Sequence, residues 1–149
     1  MHEKYDREEI IDLLSVHLRK IESVRNHILK EFYEEHTEER DNFESMVQEY
    51  SEYIRGIMDN KPNDTLNGVW PLVLIGSIVE VEDLDYSDIG KLKIVPPFYE
   101  DKNRKLECAS CLSPVGHALL LKKIGDEVTV KTPLGNSNFK IKSIDFPLN

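Results

Sequence analysis

At 149 residues, with 40% hydrophobic and 32% charged side chains, the chain is long enough for one ordinary domain or for a small domain with an extended appendage. Its 28 acidic side chains outnumber its 19 basic ones, giving a formal net charge of −9, and sixteen of the acidic but only eight of the basic ones fall in residues 1–60. That balance excludes a phosphate-tracking surface for duplex DNA or an anionic membrane, which needs clustered Lys and Arg, and it favours a basic protein surface or a cation as partner.

Met1 leads into His2-Glu3-Lys4-Tyr5-Asp6 with no apolar stretch behind it, and no run approaches the roughly 18 apolar residues of a membrane span. No export signal and no membrane contact are therefore expected. Two cysteines then fit free thiols in a reducing cytoplasm.

From Asp6 to about Asp59 the chain has one glycine, Gly56, and no proline. Ile10, Leu14, His17, Ile21, Val24 and Ile28 step by four and three, His17 being the weak member, and Phe43, Val47, Tyr50, Ile54 and Ile57 repeat the rhythm. Such spacing lays apolar residues along one seam, as in coiled-coil packing. A helix from about Arg7 to Tyr33 is predicted, roughly 40 Å long at about 1.5 Å per residue. Between the seams lies Glu34-Glu35-His36-Thr37-Glu38-Glu39-Arg40-Asp41-Asn42. Thr37 is placed to cap a second helix, with Glu38 and Glu39 in its first turn. With neither Gly nor Pro at this point, periodicity leaves two architectures open: a helical hairpin, or one long helix that dimerises.

Residues 60–71 are rich in turn formers and read as a linker ending at Trp70-Pro71. Beyond it the period changes. Val73–Glu82, Lys91–Val95, Leu106–Cys111, Glu127–Thr132 and Phe139–Ile144 are predicted strands, rich in β-branched residues. Ser113-Pro114 reads as an N-cap followed by proline at the first helical position, opening a short helix through Leu121. Gly125-Asp126 and Pro133-Leu134-Gly135-Asn136 supply turns. The second half is thus a small antiparallel sheet holding one helix, and the whole chain is α+β.

Four segments of that half carry a family resemblance: Ile75-Gly-Ser-Ile-Val79, Leu112-Ser-Pro-Val-Gly-His-Ala-Leu-Leu120, Lys123-Ile-Gly-Asp-Glu-Val-Thr-Val130 and Thr132-Pro-Leu-Gly135. In order and spacing they resemble the C-terminal domain of the GreA/GreB transcription factors, which has an FK506-binding-protein-like fold. The first half is similar to that family's antiparallel coiled-coil hairpin in position, length and acidity. The resemblance implies three segments: a hairpin over 1–60, a linker over 61–71 and the FK506-binding-protein-like domain over 72–149.

The resemblance also implies a function. In the family the globular domain docks at the rim of the secondary channel of RNA polymerase, and the hairpin carries two carboxylates to the polymerase active centre. There they help to hold a second Mg²⁺, and the polymerase cleaves its own backtracked RNA. The chain would be no enzyme itself, would meet the RNA end only indirectly, and would bind DNA weakly and without sequence preference. Glu38 and Asp41, followed by Asn42, fall on the family's acidic pair with the two residue types exchanged, and Glu44 matches a further acid. Thr37 stands in place of a glycine. At i and i+3 the pair shares a helix face, so both can address one ion, held jointly with the polymerase. The exchange displaces each carboxylate by about 1.5 Å, enough for a rate loss on the order of 100-fold. Glu34 and Glu35 are the substitutes if the register differs. Ser113 and Pro114 match the segment that touches the polymerase rim, with Leu112 where the family often has Asp.

Two other functions stay open. One is a non-cleaving secondary-channel regulator of initiation or pausing, which the exchanged acids and Leu112 favour. The other is an interaction module like the regulator of nucleoside diphosphate kinase, whose Pro-Val-Gly-x-Ala-Leu-Leu resembles Pro114–Leu120; its shorter arm counts against it. Cys108 and Cys111 lack the further ligands of a zinc site and are expected to be buried strand thiols. Trp70 is expected to pack on the second domain, and prolyl isomerase activity is not expected without an apolar aromatic pocket.

Overall fold

A computed structural model describes residues 6–59, 71–100 and 105–146. The two long helices form one compact unit, and the sheet with its short helix forms another.

Helix α1 spans Arg7–Phe32 and helix α2 spans Glu38–Asp59. Asp6 caps α1, its Oδ1 accepting from Glu9 N at 2.9 Å, and Glu8 and Glu9 place negative charge against the positive end of the helix dipole. Thr37 caps α2 as its sequence position predicts, its hydroxyl accepting from Arg40 N at 3.2 Å. The 34–42 stretch is therefore broken between two helices. Cross-helix contacts run Tyr33 to Phe43, Arg25 to Glu44 and His17 to Tyr50. Positions falling along α1 meet positions rising along α2, so the pair is an antiparallel hairpin and the single long helix is excluded.

Ile10, Leu14, Ile21 and Ile28 of α1 are buried against Phe43, Met46, Val47, Tyr50 and Ile54 of α2, while Val24 and Ile57 are only partly covered. His17 is no defect in this seam. It is 3% exposed, and its Nε2 shares a 2.7 Å hydrogen bond with Tyr50 Oη. Burial, with a smaller contribution from the charge of Lys20, pushes its pKa down to about 4, so the imidazole is neutral in the folded hairpin near neutral pH.

The second unit is a five-stranded sheet of β1 (Ile78–Asp83), β2 (Ile89–Val95), β3 (Glu107–Ser110), β4 (Glu127–Thr132) and β5 (Gly135–Asp145), with helix α3 (Pro114–Leu119) between β3 and β4. Spatial order is β3-β2-β1-β5-β4. Three of the four pairings are antiparallel as expected; β2–β3 is parallel. Eleven residues separate Val95 from Glu107, and parallel neighbours are not joined by a two-residue hairpin turn. A bulge between Glu80 and Val81 interrupts the β1–β5 register. Val79, Val81, Ile94, Val128, Val130, Ile141 and Ile144 form the covered face with Leu119 and Leu120.

Residues 73–77, predicted as the start of a strand, lie outside β1, with a turn at Ile75 and Gly76 before it. Gly76 takes φ +102°, Ser77 Oγ accepts from Leu74 N at 2.9 Å, and Val73 bonds instead to Lys122 and Leu121. Leu72 to Ile75 are buried, and Leu72 makes an isolated antiparallel bridge with Lys123. Most of the predicted linker, residues 61–70 with Trp70, lies outside the described residues. Among the described residues no helix is long and apolar enough to cross a membrane.

Candidate functional site

The hairpin tip is built by one side chain more than any other. Helix α1 leaves its last carbonyls without intrahelical donors. Arg40 Nη1 donates to the C-cap carbonyl, Tyr33 O, at 3.2 Å and to Glu34 O, one residue beyond the cap, at 3.3 Å. Its Nε donates to Glu44 Oε1 at 3.0 Å, and the other oxygen of Glu44 faces Arg25 Nη2 at 3.7 Å. Tyr33 and Phe43 close the apolar side, ring centroids 5.7 Å apart.

On this base stand the two acids singled out by sequence. Glu38 and Asp41 lie in the first turn of α2, and both are exposed. Asp41 Oδ1 lies 3.3 Å from His36 Nε2. Asn42 is exposed beside them, as are Glu34 and Glu35 on the approach from α1. Glu44 belongs to a different environment. It is partly buried and pairs with two guanidinium groups, those of Arg40 and Arg25. Among the described residues no three His, Cys, Asp or Glu side chains converge to hold a metal.

The second candidate, Ser113-Pro114, has a defined local task. Ser113 adopts extended backbone as the N-cap of α3, accepts from Gly116 N at 3.1 Å and donates its hydroxyl proton to Ser110 O at 2.7 Å. Pro114 occupies the position where a missing N–H does no harm. A Cβ on Gly116 would fall 1.9 Å from Ser110 O, so only glycine lets this turn close. Pro114 and Leu112 are exposed on its outside.

One expectation is corrected. Cys108, expected buried, is exposed; Cys111 is fully buried, and burial pushes its thiol pKa up to about 12. The roles of Arg25 and Arg40 were missed by a reading that followed apolar periodicity. The i, i+4 spacing of Arg40 and Glu44 was the available signal.

A family model described as "Transcription elongation factor, GreA/GreB, C-term" matches residues 71–146. The transcription elongation factor GreA of Solidesulfovibrio magneticus is 42% identical over 74 residues, half of this chain and 44% of that protein. The GreA of Nitratidesulfovibrio vulgaris is 36% identical over 83 residues, 56% of this chain. The match spans 49% of its length, so the chain spans about half the length of these two curated relatives. Over the hairpin as well, the GreA of Syntrophobacter fumaroxidans is 29% identical across 130 residues, 85% of this chain and 80% of the relative. The solved GreA/GreB structure from Nitrosomonas europaea superposes with a TM-score of 0.52 at 22% identity, covering 89% of this chain and 96% of that one, a likeness of fold.

Proposed function

The chain belongs to the GreA/GreB family of transcription elongation factors, and from that membership we propose that it binds RNA polymerase at the secondary channel and stimulates cleavage of backtracked RNA. One observation carries the reading: Glu38 and Asp41 are two exposed carboxylates one turn apart at the end of a rigid antiparallel arm. Two-metal phosphoryl chemistry uses such groups, one cation favouring the attacking water and the other the leaving oxygen. Mg²⁺ accepts one or two carboxylates and keeps several waters, which fits a tip that offers two acids and no closed cage. The polymerase would supply the remaining ligands and the reaction, and this chain would be no enzyme alone. Ser113 and Pro114 would form part of the docking surface, with Leu112 offering an apolar contact.

The test mixes the protein with stalled, backtracked elongation complexes and follows RNA length. Shortened RNA is expected, and its loss in both Glu38→Ala and Asp41→Ala assigns the activity to the tip. Cleavage undiminished in both variants would overturn that assignment. A non-cleaving regulator is the second reading, favoured by the exchanged order of the acids and by the contact of His36 with Asp41. It predicts polymerase binding, competitive with a cleaving factor, and RNA of unchanged length.

A further inference from the structure

We infer that Arg40 is a positioning residue for the acidic tip, a latch that ties the end of α1 to the start of α2 and so fixes where Glu38 and Asp41 stand on the arm. What the fixed acids accomplish rests on the reading of the tip as directed at polymerase; the latch itself rests on geometry.

Three observations carry it. First, the tip contains neither Gly nor Pro between Tyr33 and Arg40, so backbone chemistry alone does not impose the turn. Second, a single half-buried guanidinium spans the junction: it donates to two carbonyls at the end of α1 and to a carboxylate one turn along α2. An i, i+4 ion pair by itself stabilises a helix little. Here the same group also bonds the C-cap carbonyl of α1 and the carbonyl after it, so it acts across the junction as well as along α2. Third, Glu44 is pinned from the other side by Arg25 of α1, which makes the latch a chain of three charges crossing from helix to helix. Arg40 itself adjoins Asp41 and lies two residues from Glu38. Lysine cannot replace it, because an ammonium is a point donor without the planar fork that reaches both directions.

The test uses the full chain with Arg40→Gln and Arg40→Lys, read in two ways. Amide hydrogen exchange is expected to quicken about tenfold or more over residues 34–41 in Arg40→Gln, and by less in Arg40→Lys, with residues 45–56 unchanged. With polymerase and Mg²⁺, the maximal cleavage rate at saturating factor is expected to fall about tenfold or more in Arg40→Gln. The half-saturating concentration should stay within about twofold, because the docking surface is untouched. A residue that merely held the fold together would weaken both parameters. Unchanged tip exchange in Arg40→Gln overturns the latch, and so does a loosened tip that cleaves at the wild-type rate. If Arg40→Gln quickens exchange along both helices, Arg40→Lys decides: a loosened tip on intact helices supports the latch, and a wild-type tip overturns it. Wild-type protein that binds polymerase without cleaving removes the cleavage reading, and the exchange result then decides the latch alone.

Discussion

The buried imidazole of His17 makes the hairpin acid-sensitive in a way that can be worked out from its surroundings. In the folded arm its pKa is pushed down to about 4, first by burial and then by the charge of Lys20, against an ordinary value of 6.5. The unfolded chain therefore binds a proton that the folded arm refuses throughout the interval between those values. Stability from this group is fully present above pH 6.5 and is lost as pH falls towards 4. At about 1.4 kcal/mol per pH decade the loss amounts to roughly 3 kcal/mol, and little of it is screened because the ring is 3% exposed. Urea unfolding followed by helical circular dichroism, at steps from pH 7.5 to 4, measures it. Carboxylates titrate in the same range, so the quantity to compare is the difference between wild type and His17→Leu. That variant should lose less stability on acidification by about 3 kcal/mol. Parallel pH profiles for the two proteins would refute the reasoning, and so would a wild type that gains stability on acidification relative to the variant.

Gly116→Ala forces a methyl group against the Ser110 carbonyl and should destabilise the sheet unit by about 2–4 kcal/mol in thermal unfolding. Gly125→Ala, whose Cβ would meet nothing but whose φ is +91°, should lose only about 1 kcal/mol. Ser113→Ala removes the cap of α3 and the hydrogen bond to Ser110, and denaturant titration should register a loss of about 1 kcal/mol. At pH 8 a thiol-specific disulfide reagent should modify Cys108 rapidly and Cys111 only after unfolding, as one fast equivalent that disappears in Cys108→Ser.

How much of this was legible in the sequence depends on which force decides each element. The 3–4 seam located both helices to within a residue or two, because burial along one face is what makes them fold. Where the seam breaks was legible too, in the polar 34–42 stretch and the Thr37 cap; what closes the turn was not. A turn without Gly or Pro is set by Arg40 reaching back to Tyr33 and Glu34, a contact between residues seven and six apart with no periodic signature. Residues 73–77 misled in the opposite direction. Their apolar run reflects burial: Val73 bonds to the segment after α3, and past the turn at Gly76 the backbone bonds to Ile94 of β2. The parallel β2–β3 edge and the exposed Cys108 were not legible, since neither strand direction nor which face of an edge strand is covered has a local sequence signature. At the candidate site the one-turn spacing of Glu38 and Asp41 could be read directly. That Glu44 also pairs with Arg25 and that Asp41 touches His36 could not, since both depend on which neighbours the fold delivers.

The outer strand β3 is only four residues long and opens on an exposed Glu107 next to an exposed Lys105. A border so brief offers few open backbone groups to a neighbouring copy, and any strand docking there would have to strip water from ionised side chains. That side of the sheet is thereby guarded against the edge-to-edge stacking that seeds fibrils.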